Sequence, residues 1–276
     1  MEDVALFNYR RLRAFLVGWM LLVPLLLAAE PSAATAIEGS RSDRHVDVGR
    51  SVMRARSWLL SASPPVVRRM VLGHSVLGRP IIAFRLGDPE SQTTILVVGC
   101  IHGNECAGIA IARSLIAAPP ADIDLWVIRN LNPDGFRAGT RQNGRGVDLN
   151  RNFPFQWRPF GRPWDKEYSG SHPLSEPEDR IARRWIARVQ PDVSIWFHQP
   201  LALVVRSAGD ITIQRRFAKR VGLPLVRLKG RYPGSVTSWQ NHWHPEAAAF
   251  VVELPSGSLS TVAVHRYANA IVHAAR

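Results

Sequence analysis

The stretch Val98-Gly-Cys-Ile-His102-Gly-Asn-Glu105 sets an imidazole and a carboxylate three residues apart, directly after an apolar run. Both groups are ligands that zinc accepts at about 2.0–2.2 Å, and a catalytic zinc site keeps one position open. The spacing alone is weak evidence. Its place at a strand-to-helix junction strengthens it, because sites in α/β sheets gather beyond the carboxyl ends of strands. His198 follows Val193-Ser-Ile-Trp-Phe197 and supplies a third candidate ligand, completing a His₂Glu set. Glu253 lies in Phe250-Val-Val-Glu253-Leu. A carboxylate among apolar neighbours is costly to bury without a partner, but beside a metal it can take a proton from water and pass it to a leaving amine. Asn150 and Arg151, adjacent in Gly146-Val-Asp148-Leu-Asn150-Arg151, can hold a carboxylate through an amide and a forked guanidinium. The same segment could instead close a turn on its own backbone. His242 and His244 read as exposed loop residues rather than a second metal site.

These side chains need a frame, and the apolar pattern predicts one. Thr94 to Val98, Leu125 to Ile128, Val193 to Phe197 and Phe250 to Leu254 are continuous apolar runs, as expected of strands buried on both faces. Val71 to Ser75 and Pro80 to Leu86 read as a hairpin around Leu77-Gly-Arg79, and Leu223 to Leu228 as a further strand. Helices are expected over Ala107 to Ala117, from Ser175 onward, around Ile213, Phe217 and Val221, and over Thr261 to Ala275. Ser175 and Glu178 are expected to form a capping box, with Pro177 in the first turn. Residues 130–175 read as one long loop, a length that in a compact domain is usually functional. Strands alternating with helices predict a single α/β domain with a mixed, mostly parallel central sheet and helices on both faces.

In chain order, His102-x-x-Glu105, Asn132-Pro-Asp-Gly135, Gly146-Val-Asp-Leu-Asn150-Arg151-Asn-Phe, Tyr168-Ser-Gly-Ser-His-Pro-Leu-Ser-Glu-Pro-Glu178, His198 and Glu253 resemble the zinc carboxypeptidase family. The resemblance spans about Val71 to Gly257. Within the family, His198-Gln-Pro200, Tyr232-Pro-Gly-Ser-Val-Thr-Ser-Trp239 and Val252-Glu-Leu-Pro255 look most like the bacterial murein tripeptide amidase branch, which cuts between γ-D-glutamate and meso-diaminopimelate. It implies one zinc ion on His102, Glu105 and His198, with Glu253 activating water. It implies Arg141 as the oxyanion arginine, with Arg145 as the competing candidate, and Asn150 and Arg151 as the clamp on the substrate's terminal carboxylate. The digestive branch carries a mobile tyrosine before the last motif; Ser235 to Gln240 contains none. The alternatives are a general secreted carboxypeptidase on L-peptides and, further off, a zinc-dependent small-molecule deacylase.

Composition sets the remaining bounds. The 276 residues are 46% hydrophobic and 21% charged, an ordinary globular balance. Arg10, Arg11 and Arg13, the apolar run Ala14 to Ala29, and Ala34-Thr-Ala36 predict a cleaved signal peptide over residues 1–36 and export to the cell envelope or beyond. Membrane attachment is expected only if that signal stays uncleaved. Residues 37–70 read as a partly flexible extension and 71–276 as the catalytic domain. The formal charge of +13 is carried mostly by Arg, with only Lys166, Lys219 and Lys229 as lysines. No basic run interleaves with aromatics, so a nucleic-acid partner is not expected; the expected partner is a peptide or peptidoglycan-fragment substrate, and the chain is expected to be a monomer. Cys100 and Cys106, the only cysteines, bracket the first motif, and a disulfide and two thiols are both open.

Overall fold

The computed structural model describes residues 66–230 and 232–274. The expected signal peptide, most of the expected extension and the short helix expected near residues 52–60 lie outside them. Eight strands form one sheet: β1 (Val66–His74), β2 (Pro80–Gly87), β3 (Thr94–Val98), β4 (Asp124–Ile128), β5 (Val193–His198), β6 (Leu201–Val205), β7 (Leu225–Val226) and β8 (Ala248–Pro255). Their order across the sheet is β1-β2-β4-β3-β5-β8-β6-β7. The four central strands β4-β3-β5-β8 run parallel. The β1–β2, β2–β4 and β6–β8 pairings are antiparallel. β1 begins at Val66, so the sheet takes in residues 66–70 of the stretch read as an extension.

Six α-helices cover the two faces: α1 (Gly108–Ala117), α2 (Pro133–Ala138), α3 (Pro177–Val189), α4 (Ile211–Val221), α5 (Val236–Trp243) and α6 (Thr261–Val272). On one face Ile95, Val97, Ile195, Phe197, Phe250 and Val252 meet α1, α4 and α6 through Ile111, Leu115, Phe217 and Ile271. Their alternate neighbours Leu96, Val98, Trp196 and Val251 meet α3 and α5 through Ile181, Ile186, Val236 and Trp239. Because successive strand residues point to opposite faces, a strand covered on both must be apolar throughout. Among the described residues, no helix is long and apolar enough to cross a membrane.

Three local expectations are corrected. α3 has Pro177 at its start, but its N-cap is Glu176, with no side-chain cap bond. Ser175 instead donates to Glu176 and accepts from Asn152, so its hydroxyl is committed to the loop rather than to the helix. The 130–175 loop contains α2, where Asn132 caps the helix by accepting from Gly135 N, and a 3₁₀ turn at Leu149–Arg151. His242 lies on α5, stacked on Phe155 at 4.2 Å between ring centres, rather than in a loop.

Candidate metal centre and substrate cleft

β3 ends at Val98 and the chain turns, with Glu105 N bonded to His102 O, before α1 starts. The turn is set by a backbone contact: a Cβ on Gly103 would lie 2.0 Å from the carbonyl carbon of Gly135 in α2. Only glycine lets the loop approach that closely. Cys100 and Cys106 are joined as a disulfide across it, with Cα atoms 4.8 Å apart.

The structure brings all three candidate ligands together. His102 Nδ1 lies 2.9 Å from Glu105 Oε2 and 3.1 Å from His198 Nδ1; the third edge, His198 Nδ1 to Glu105 Oε2, is 3.2 Å. Ligand atoms at about 2.0–2.1 Å from a tetrahedral zinc stand about 3.3 Å apart, so the triangle fits one such ion. Chemistry agrees with geometry, since two imidazole nitrogens aimed at each other and a carboxylate oxygen share a point where at most one proton can mediate. No other group of three His, Cys, Asp or Glu among the described residues could hold a metal.

The charges around the triangle fix its protonation. Burial pushes the His198 imidazole down to about 4, the Glu105 carboxylate opposing too weakly to hold the charged form. His198 is therefore neutral at pH 7. Burial also disfavours the charged form of His102, but Asp148 outweighs it and raises the group. Burial opposes ionisation of Glu105, yet the His102 and His198 imidazoles against its Oε2 hold it well below the usual carboxylate range. The Asp148 carboxylate is likewise held low against its burial, by His102 and Arg141. Asp148 Oδ1 sits 2.9 Å from His102 Nε2. A proton on that nitrogen leaves the Nδ1 lone pair facing the triangle, the usual arrangement of a metal-ligating histidine. Sequence reasoning missed this role for Asp148. Its sequence signal was a carboxylate between the apolar Val147 and Leu149; in the fold Asp148 is fully buried with three partners, His102, Arg141 and Asn150 N.

Arg141 reaches the centre. Its Nη1 donates to Glu105 Oε1 and its Nε to Asp148 Oδ2 at 3.0 Å. Arg145, the competing candidate, is separated from it. That side chain is 56% exposed, stands 3.7 Å from Glu176 and lines a distinct cavity of about 390 Å³ with Tyr168 and His172.

Glu253 stands on β8 beside His198 on β5. Its Oε2 is buried without a hydrogen-bond partner among the described residues. Burial raises its proton affinity, and the negative charge of Glu105 adds to the effect.

Asn150 and Arg151 follow Asp148 in the 3₁₀ turn, and both are buried. Asn150 Oδ1 accepts from Val236 N, which orients its amide. Arg151 Nη1 donates to the Asn150 carbonyl, and its Nη2 to Glu167 Oε1 at 2.7 Å. Tyr232 packs against Arg151, with its ring centre 5.2 Å from the guanidinium carbon. It lies three residues before the tyrosine-free segment Ser235–Gln240. Gly234 makes the approach possible: at φ +70°, its Cβ would meet the Arg151 carbonyl oxygen at 2.1 Å.

Comparison with known proteins agrees with this geometry. Residues 57–212 match the zinc carboxypeptidase family model. Murein peptide amidase A of Vibrio campbellii is 33% identical over 196 residues, 66% of this chain and 77% of the relative. The same-named protein of Escherichia coli K12 is 32% identical over 180 residues, 60% of this chain and 74% of the relative. The crystal structure of murein-tripeptide amidase MpaA from Escherichia coli O157 superposes with a TM-score of 0.63 at 29% identity, covering 76% of this chain and 92% of that one. Carboxypeptidase A of Helicoverpa armigera shares the fold at TM-score 0.65 and 18% identity, over 76% of this chain and 68% of its own. With the family's fold, its matched span and a triangle of ligands that fits one zinc, this chain belongs to the zinc carboxypeptidase family and is a hydrolase of peptide bonds.

Proposed function

We propose that this protein is an exported, monomeric zinc amidase of the cell envelope that acts on peptidoglycan-derived peptides, cutting the bond between γ-D-glutamate and a C-terminal meso-diaminopimelate. The observation that carries the reading is the His102–Glu105–His198 triangle with Glu253 as the register partner of His198 and with Asp148 joining His102 to the turn that carries Asn150 and Arg151. The similarity to murein peptide amidases supports the substrate class.

His102, Glu105 and His198 would hold the zinc, which supplies a Lewis acid and brings the pKa of water from 15.7 towards about 7. Arg151 and the Asn150 amide draw in the terminal carboxylate and set the scissile amide against the triangle. Glu253 takes a proton from the attacking water and returns it to the departing amine. Its raised proton affinity suits both halves of that transfer. Arg141, already held by Glu105 and Asp148, stands ready to stabilise negative charge on the carbonyl oxygen. Purified protein should release meso-diaminopimelate from L-Ala-γ-D-Glu-meso-diaminopimelate, and a chelator should abolish the release. Cleavage of ordinary L-dipeptides with no turnover of the tripeptide would overturn the reading.

A further inference from the structure

The clamp is already half-occupied by the protein's own acid. Glu167 Oε1 accepts from Arg151 Nη2 at 2.7 Å, and Glu167 remains 40% exposed beside a guanidinium that is only 7% exposed. It directly follows the solvent-facing run 158–166, whose cations are Arg158, Arg162 and Lys166. The other acid there, Asp165, folds back to accept from Arg162 N. Glu167 alone turns inward. With a single carboxylate as ligand, this arrangement works against itself, because Glu167 competes for Arg151 and repels the incoming charge. An ammonium near Glu167 reverses that sign.

We infer that Glu167 forms a subsite for an amino group on the side chain of the C-terminal residue. Arg151 and Glu167 present a plus-minus pair, complementary to a residue that brings a main-chain carboxylate and a side-chain ammonium. The inference rests on and deepens the proposed function: diaminopimelate carries its second amino group on Cε, the same carbon that bears the amine of lysine. Tyr232, stacked against the Arg151 guanidinium, covers the clamp and shields its charge from solvent.

The test compares kcat and KM for two substrate pairs that differ only in that amino group, using zinc-loaded wild type, Glu167→Gln and Glu167→Asp. One pair is the γ-D-Glu tripeptide ending in meso-diaminopimelate or in 2-aminopimelate. The other is an L-peptide ending in lysine or norleucine. Wild type is expected to favour the amine-bearing member at least tenfold in kcat/KM. Glu167→Gln should erase that preference through KM at nearly constant kcat, and Glu167→Asp should restore part of it. A preference left intact in Glu167→Gln overturns the subsite. So does an equal loss on both members, which would make Glu167 only a support for Arg151. So does an equal gain, which would make it only a competitor. If neither tripeptide is cut but the lysine preference appears and depends on Glu167, the subsite stands and the murein reading falls.

Discussion

His198 of β5 and Glu253 of β8 are register partners on adjacent parallel strands. Partnered residues put their side chains on the same face of the sheet. Here that is the face of Trp196 and Val251, each two residues earlier on its strand. A candidate ligand and a proposed proton acceptor, 55 positions apart in sequence, are thus placed side by side by hydrogen-bond register. A slip of one residue in that pairing would send one of them to the opposite face.

The neighbouring position of Glu253 makes its role separable from metal binding. Glu253→Gln keeps size and shape and is not part of the ligand triangle. It should leave zinc content at one per chain and lower kcat by about 10²–10⁴-fold. Metal analysis and steady-state rates on the same preparation check this. Turnover near the wild-type rate would remove Glu253 from the proton transfer.

Asp148 acts one shell out from the triangle. In Asp148→Asn, the amide oxygen can still accept from His102 Nε2 and Asn150 N, but its NH₂ then faces Arg141 Nε, donor against donor. Zinc affinity should fall about 10–100-fold. Competition with a chromogenic chelator measures it directly, and unchanged affinity would show that His102 needs no carboxylate behind it.

Arg151→Ala removes the proposed carboxylate clamp and leaves the proposed reacting groups in place. KM for peptides with a free C-terminal carboxylate should rise at least tenfold, while amidated peptides, which do not use the clamp, should change little. Equal effects on free and amidated substrates would exclude the carboxylate from the clamp.

Acid should weaken the zinc-free protein. His198 is depressed to about 4 from an unfolded value of about 6.5. The unfolded chain therefore takes up the proton first, and stability present above about pH 6.5 is lost as pH falls towards 4. Glu105 and Asp148, both depressed carboxylates, contribute above the ordinary carboxylate range and lose that contribution below it. His102, raised in the fold, works in the opposite sense and favours the folded state at low pH. Urea midpoints of the zinc-free protein should drop between pH 7 and 4, and His198→Gln should flatten the part between 6.5 and 4. The same slope between pH 6.5 and 4 in wild type and in His198→Gln would contradict the assignment of His198 as a neutral buried imidazole.

How much of this was readable beforehand follows burial. β3, β5 and β8 were legible because helices cover both faces and force unbroken apolar runs. The ligand positions were legible because they sit where those runs stop. β6 was not: it is a partly exposed strand near the sheet edge, immediately after Gln199-Pro200, and its five residues carry no alternating pattern. α2 and α5, of 6 and 8 residues, are too short to show an amphipathic period and are held by contacts from elsewhere in the chain. The contacts of Glu167 and Tyr232 with Arg151 were not legible either, although Tyr232 opens the Tyr232–Trp239 motif. Each meets Arg151 only in space, from 16 and 81 positions away.

The two glycine contacts, Gly103 on Gly135 and Gly234 on Arg151, have an outcome for how such an enzyme can change. At both points main chain rests on main chain, so any side chain there moves the reaction centre as a whole. The 158–166 run, by contrast, faces outward and meets the clamp through the residues that follow it. Drift in substrate choice among descendants of this protein therefore has an open route along that rim. The hydrolytic machinery beneath is frozen in place by the two positions that can hold nothing larger than hydrogen.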